Sequence, residues 1–217
     1  MNQSGNSVSY HAGMSSEPGT AENGEQLLQT ALRLFALLGY DNTTVDMIAE
    51  TAGRDREAVA AAGGKAGLYR ASMQRYADMT HALLDSLAAH SSPDPAEAHT
   101  SLDLILDFYF EHPEFGLLWT QRWLSDARDI SDIEQSYRSP LQKIGHRLLS
   151  VTILKGRGEE DVEMAASLFD WAIHGFLTEG IGQADGDALK SDDPRARRRF
   201  RAYMHRLMDL LEHEHRS

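Results

Sequence analysis

The segment 25–70 most restricts how this chain can fold, because it consists of short amphipathic stretches divided by tight turns. Apolar residues recur at intervals of three and four across 27–38, as one face of a helix requires. Thr44 is a hydroxyl N-cap candidate for a second helix of about two turns. Gly53 interrupts that helix, and a third can begin at Asp55. Two short helices around a glycine-containing turn are typical of a helix-turn-helix, whose second helix can enter a DNA major groove.

This segment resembles the N-terminal domain of TetR-family transcriptional regulators. The resemblance covers 28–53 and resumes at 64–69, and the motifs in register are Ala31, Leu34, Phe35, Gly39-Tyr40, Thr43-Thr44-Val45, Ile48-Ala49, Ala52-Gly53, Gly64-Lys65 and Leu68-Tyr69. It implies a ligand-responsive repressor that binds a double-stranded DNA operator as a homodimer. It also implies that the helix beginning near Lys65 joins a DNA-binding head to a body that holds a small-molecule effector.

The predicted recognition helix departs from the family pattern. The family usually has two aromatic residues there, whereas this chain has alanines between Arg54 and Gly63 and is one residue shorter. Alanine favours a helix, but its methyl group can read little beyond a thymine methyl. Val59 is the main apolar anchor left, and Arg56 is the only strong hydrogen-bond donor within the helix. The sequence therefore predicts the scaffold of a DNA reader with a poor reading face.

Phosphate and base contacts are assigned to hydroxyl, cationic and phenolic side chains of the head. A helix N-terminus favours a phosphate because its backbone N–H groups are free, which applies at Thr44. By resemblance, Lys65 touches the DNA backbone at the start of the next helix. The alternative is that the hydroxyls only cap helices and the cations are only solvated. The predicted DNA-binding residues are Thr43, Thr44, Arg54, Arg56, Lys65 and Tyr69.

The charge distribution is unusual for a nucleic-acid binder, since the net charge is −12. Residues 1–75 carry 6 Lys or Arg and 8 Asp or Glu, whereas 76–190 carry 8 and 20. The acidity therefore lies mainly in the central body, and a nearly neutral head can still bind DNA through a few placed cations. With no cysteine, no basic start and no long apolar run, the sequence predicts a cytoplasmic protein without disulfides or a membrane span.

Hydrophobic periodicity continues through the rest of the chain and predicts an all-α fold of about nine helices. We predict a disordered tail at 1–23, a helix-turn-helix domain at 24–70, and a ligand-binding and dimerisation domain at 71–217. The segment 130–154 reads as one long amphipathic stretch that Pro140 should kink or split. Residues 159–181 are apolar on most sides, so we expect that helix to pair with 194–211 in a dimer interface.

Aromatic residues cluster in the predicted body, together with a carboxylate and a histidine four residues apart. Aromatics at helical spacing usually form core, and a lone buried histidine is usually satisfied by hydrogen bonds. A pocket between helices has the same composition, and the family places its effector there. Asp170 and His174 would lie on one helix face, where they could bind a ligand, titrate or hold a metal. The predicted ligand-binding residues are Tyr109, Trp119, Trp123, Phe169, Asp170 and His174.

Other chemistry is not indicated. The arginines at 195–201 spread around a helix, which favours a solvated face or salt bridges over a nucleic-acid patch. No nucleophile–base motif, phosphate loop or metal-ligand spacing is present, so we assign no enzyme activity, metal or cofactor. Two functions remain open: a ligand-responsive repressor, and a protein of the same fold that has lost DNA binding and acts as a ligand- or partner-binding module.

Overall fold

The computed structural model describes residues 18–89, 95–151, 154–184 and 186–213. Over these ranges the predicted all-α fold is confirmed. One short antiparallel hairpin is also present, with Ile181 pairing with Leu189. The elements are α1 (Pro18–Leu38), α2 (Val45–Ala52), α3 (Arg56–Ala61), α4 (Gly64–Ala89), α5 (Pro95–Glu111), α6 (Pro113–Trp123), a π-helical turn (Glu134–Arg138), α7 (Ser139–Val151), α8 (Glu159–Glu179), β1 (Ile181–Gly182), β2 (Ala188–Leu189) and α9 (Pro194–His213).

Helix α1 begins earlier than the sequence suggests. Residues 18–23, predicted as the end of a disordered tail, belong to this helix, while the rest of the predicted tail lies outside the described residues.

Side-chain caps set the limits of the two short helices in the head, which comprises α1, α2, α3 and the start of α4. The Thr44 hydroxyl accepts a hydrogen bond from the Met47 N–H at 3.1 Å, and the Asp55 carboxylate accepts one from Ala58 at 2.8 Å. Each cap satisfies a backbone donor that the first helical turn leaves unpaired. Gly53 ends α2 with a positive φ of 64°. The predicted helix-turn-helix is therefore present.

Buried aromatic rings hold the head together. Phe35 of α1, Tyr40 of the following turn and Tyr69 of α4 have ring centroids 4.9–5.8 Å apart. Val59, the only fully buried residue of α3, lies in the same apolar cluster. This cluster continues along α4 to Trp119 of α6, so head and body share one hydrophobic core.

The stretch 130–154 is not one helix broken at Pro140. Turns occupy residues 124–129 and 131–132, a π-helical turn follows, and Pro140 lies in the first turn of α7. The Ser139 N–H donates to the Glu134 carbonyl five residues earlier, which is π-helical spacing. Because proline has no N–H to donate to the preceding turn, the change from π-helical to α-helical spacing at this point is compatible with Pro140.

Helix α8 is buried on one face and exposes large apolar side chains on another. Met164, Leu168 and Trp171 are 55%, 38% and 56% exposed, which agrees with the predicted all-round apolar surface. Phe176, which belongs to the helix predicted to form a dimer interface, is in the core, where its ring stacks on Phe200 at 4.2 Å. A substitution at Phe176 would therefore disturb the fold rather than report on dimerisation.

Polar contacts attach α9 to α5. His99 and His205 stack with centroids 4.8 Å apart, and their outer Nε2 atoms contact Asp209 and Asp103 at 3.0 and 2.9 Å. Arg201 pairs with Asp103 at 2.5 Å. Arg195 pairs with Asp193 and Arg197 donates to the Ser191 carbonyl, so part of the arginine-rich segment is engaged within its own chain.

Candidate functional site

Three of the predicted DNA contacts form a surface around the start of α2. Thr44 is exposed at the N-terminus of α2, and its hydroxyl hydrogen remains available while its oxygen caps the helix. The Lys65 ammonium donates to the Tyr40 carbonyl at 2.9 Å and lies 4.0 Å from the centroid of that ring. Because an ammonium has three donors, it can hold this carbonyl and still contact a phosphate. Arg56 is exposed but already pairs with Asp46 of α2.

Thr43 and Tyr69, predicted to contact DNA, are buried instead. The Thr43 hydroxyl donates to the Gly39 carbonyl at 2.7 Å and holds the turn between α1 and α2. Tyr69 is fully buried against Phe35 and Tyr40, and burial raises the pKa of its phenol. Both side chains therefore stabilise the head from inside, and neither is exposed to contact DNA.

Arg54 is half-buried rather than presented to a groove. Its guanidinium donates to the side chains of Asn23 and Gln26 on α1, so this cation braces α1 against the end of α2.

The reading face of α3 is as sparse as the sequence predicts. The helix has six residues, and Glu57, Ala60 and Ala61 are exposed beside Arg56. A carboxylate at this position opposes the phosphate backbone, and the alanine methyl groups offer no hydrogen bond to a base edge.

A cavity of about 280 Å³ lies between α4, α5, α6, α7 and α8. Its volume is near the lower end of the range for small-molecule sites, about 300–1,000 Å³. Five of the six predicted ligand-binding residues line it: Tyr109, Trp119, Phe169, Asp170 and His174. The sixth, Trp123, does not line it; its ring is 39% exposed and packs behind the cavity wall, 4.4 Å from the His174 ring.

One end of the cavity carries the polar groups. Asp170 pairs with Arg138 at 2.5 Å, and its other oxygen lies 3.6 Å from Nδ1 of His174, beyond hydrogen-bond distance. Burial raises the pKa of Asp170, and Arg138 opposes that shift. Burial, with the nearby Arg138 cation, lowers the pKa of His174 to about 3, so this imidazole is neutral at physiological pH.

Gly116 lets α6 approach α8 at this point. A Cβ atom there would collide with Leu177 and lie 3.2 Å from Cδ2 of His174. The close approach places Trp119, one turn further along α6, on the same cavity wall as His174.

Residues 27–71 match the sequence profile described as bacterial regulatory proteins, tetR family. The head is a TetR-family domain. The match runs from the middle of α1 to the first turns of α4 and confirms the resemblance predicted from the motifs. No curated protein sequence matches the chain.

Solved structures of regulators share the TetR fold over most of the chain. A TetR-like transcriptional regulator from Rhodococcus sp. RHA1 is 19% identical, with a TM-score of 0.60 over 87% of this chain and 97% of that one. The ketosteroid transcriptional regulator KstR2 of Mycobacterium tuberculosis is 19% identical, with a TM-score of 0.61 over 90% of this chain and 95% of that one. Mycobacterium smegmatis AmtR is 18% identical, with a TM-score of 0.60 over 85% of each chain. The chain therefore shares the overall fold of these three solved structures.

The described residues contain no helix with the length and apolar character needed to cross a bilayer. They also contain no group of three acidic or histidine side chains placed to hold a metal.

Sequence reasoning missed the contact that ties the TetR-type head to the body. Asp126, in the turns after α6, accepts hydrogen bonds from the backbone N–H groups of Tyr40 and Asp41 at 2.6 and 2.8 Å. Its neighbours Ser125 and Ala127 have positive φ values of 76° and 56°, which are unfavourable for residues other than glycine. No local motif marks Asp126, because its partners lie 86 and 85 residues away.

Arg122 holds this strained turn in place. Its guanidinium donates to the carbonyls of Asp126, Ala127 and Ile130 and pairs with Glu134 at 2.6 Å. Glu134 begins the π-helical turn that ends at Arg138, the partner of Asp170. Polar contacts at both ends of the π-helical turn, together with its backbone, therefore connect the cavity to the turn between α1 and α2.

Proposed function

We propose that this protein is a ligand-responsive transcriptional repressor that binds operator DNA as a homodimer. The observation that carries the proposal is that α4, which begins in the TetR-family head, also forms a wall of the body cavity through Tyr76, Thr80, Leu83, Leu84 and Leu87. A ligand that favours one position of this helix would change the position of the head. Such a response needs only a difference in ligand affinity between the two states.

The Asp126 turn supplies a second connection that supports the same function. It joins the end of α6, which carries Trp119 on the cavity wall, to the backbone of Tyr40 and Asp41. Movement of α6 against α8 would therefore pull on the turn that precedes α2, where Thr44 offers its hydroxyl and free N–H groups to a phosphate.

A dimer is supported by the exposed apolar side chains of α8. Leu168 and Trp171 lie on one side of this helix, and Tyr203 and Leu210 are 55% and 67% exposed on α9. Burying these side chains against a second copy would remove apolar surface from water at both sites. Two heads held at a fixed spacing would meet successive major grooves of a palindromic operator.

Fluorescence anisotropy with a labelled DNA fragment from the region upstream of the protein's own gene tests the proposal. We expect saturable binding that is displaced by the unlabelled fragment more readily than by a scrambled duplex, and that weakens steeply with salt. Thr44→Val and Lys65→Ala should each weaken binding, while Arg33→Ala, an exposed cation of α1 outside the proposed surface, should not. Equal displacement by the scrambled duplex would contradict an operator-reading function.

The reading face of α3 favours a second candidate, a TetR-fold module that no longer reads DNA. Arg56 is held by Asp46, and the other exposed side chains of the helix are a carboxylate and alanines. Absence of DNA binding by a dimer that still binds ligand in its cavity would support this alternative.

A further inference from the structure

The polar end of the body cavity contains buried atoms without hydrogen-bond partners among the described residues. Among them are Nε1 of Trp119 and both ring nitrogens of His174, in residues that are 1% and 2% exposed. An unpaired buried polar group is energetically unfavourable, and most such groups in folded proteins have a partner. Both residues line the cavity, so a molecule inside it can supply the missing partners.

The charges at this end balance within the protein. The Arg138 cation is paired with the Asp170 anion, and the same guanidinium packs 5.3 Å from the centroid of the Trp119 ring. Because burial keeps His174 neutral, it adds no charge at physiological pH. A ligand cation or anion would leave water without finding an unpaired opposite charge among these three groups, and desolvating a charge in this way is strongly unfavourable.

A large part of the remaining cavity wall is apolar. Aliphatic side chains come from α4, α5 and α7, and the residues are Leu83, Leu84, Leu87, Leu102, Ile105, Leu148 and Leu149. None of these aliphatic residues offers a side-chain hydrogen bond, so the wall they form favours a hydrocarbon occupant. Polar side chains also line other parts of the wall, namely Thr80, Ser101, Gln142, His146 and Ser167.

We propose that the cavity takes an uncharged, mainly hydrocarbon molecule with one carbonyl or hydroxyl oxygen, which accepts a hydrogen bond from Nε1 of Trp119 and contacts His174. An indole N–H can only donate, so the ligand atom beside it is an acceptor. Neutral imidazole has one donor and one acceptor, so it can meet either a carbonyl or a hydroxyl. This assignment rests on the proposed effector site and adds the chemical class of its ligand.

Calorimetric titration with four eight-carbon probes tests the head group directly: octan-2-one, octan-1-ol, octanoate and octylammonium at pH 7.5. We expect the ketone and the alcohol to bind at least about tenfold more tightly than either charged probe. Equal or tighter binding of octanoate or octylammonium would overturn the proposal, and so would failure of all four to bind at millimolar concentration.

Trp119→Phe tests the hydrogen bond while it keeps an aromatic ring in place. Loss of one hydrogen bond should weaken octan-2-one binding about fivefold to tenfold. Leu124→Ala, at the end of the same helix and 75% exposed outside the cavity, should leave the affinity unchanged. Unchanged affinity in a folded Trp119→Phe protein would refute the assigned donor. If this variant does not fold, the head-group preference of the unaltered protein decides the question.

The effect of octan-2-one on DNA anisotropy separates this inference from the proposed function. If the ketone binds with the expected preference but leaves DNA binding unchanged, the ligand class is supported and ligand response is contradicted. If octanoate binds most tightly and shifts DNA binding, ligand response is supported and the uncharged class is wrong.

Discussion

Asp126→Ala should loosen the turn between α1 and α2 without touching the hydrophobic core. The carboxylate accepts two backbone N–H bonds, and hydrogen bonds to charged groups contribute about 1.5–3 kcal/mol each. The Tyr40 N–H is buried and would lose its partner, whereas the more exposed Asp41 N–H can bind water. If one positive-φ residue beside Asp126 relaxed in the variant, the relief of backbone strain would offset about 1 kcal/mol of this loss. The loss of the Tyr40 bond, less the strain relieved, gives an expected net loss of about 0.5–2 kcal/mol in the free energy of unfolding.

Urea denaturation followed by far-ultraviolet circular dichroism measures this loss, and Asp129→Ala is the matched control. Asp129 belongs to the same connection and carries the same charge, but it is exposed. Its removal should change the free energy of unfolding by no more than about 0.5 kcal/mol. Hydrogen exchange should then locate the effect, with faster exchange at Tyr40 and Asp41 in the Asp126 variant alone. Equal stability of the two variants would refute the argument that this carboxylate holds the head.

Four further outcomes are expected. Lys65→Ala should reduce the slope of log affinity against log salt by about one unit, because one phosphate contact is lost; an unchanged slope in the anisotropy assay would remove Lys65 from the interface. Trp171→Glu should give monomers in light scattering, since it places a charge in the exposed apolar face of α8, and a wild-type monomer at micromolar concentration would contradict that interface. His174→Gln should flatten the pH dependence of stability. In the wild type, His174 is protonated below pH 6.5 in the unfolded chain but stays neutral in the folded protein. The free energy of unfolding of the wild type should therefore fall by about 2 kcal/mol between pH 8 and pH 5 in urea denaturation, and that of the variant should not. Amides of 59–62 should exchange faster than those of 32–38, because Val59 alone of α3 is fully buried; similar protection would show that α3 is held more firmly than this single anchor suggests.

The local order of the head could be predicted because short-range patterns determine it. Thr44 and Asp55 each cap a helix by accepting a hydrogen bond from the backbone N–H three residues later, and Gly53 occupies a backbone position with positive φ. Such signals depend on residues next to each other in sequence. Burial within the head could not be predicted in the same way: Thr43 and Thr44 are neighbours of one type, yet one hydroxyl faces inward to Gly39 and the other faces solvent.

The cavity was predictable in composition but not in detail. Aromatic residues and the Asp170–His174 spacing indicated where polar and apolar surfaces would meet. Arg138 was not predicted as a member, because it reaches Asp170 from a π-helical turn that the sequence pattern assigns to a long helix. Phe176 shows the converse limit: periodicity placed it on an apolar helix face, but only the position of Phe200 shows that this face is internal.

The unequal anchoring of α2 and α3 suggests which part of the head a ligand would move. The turn before α2 is held by Asp126 from the body, by Lys65 from α4 and by the buried Tyr40 ring, whereas Val59 is the buried anchor of α3. A shift of α6 would therefore act first on the Tyr40 turn and would reach α3 through the packing of the head. Because coupling between two binding sites is reciprocal, DNA must change ligand affinity by the same factor as ligand changes DNA affinity. Removing the Asp126 contact should reduce both factors together and leave the cavity's intrinsic head-group preference intact.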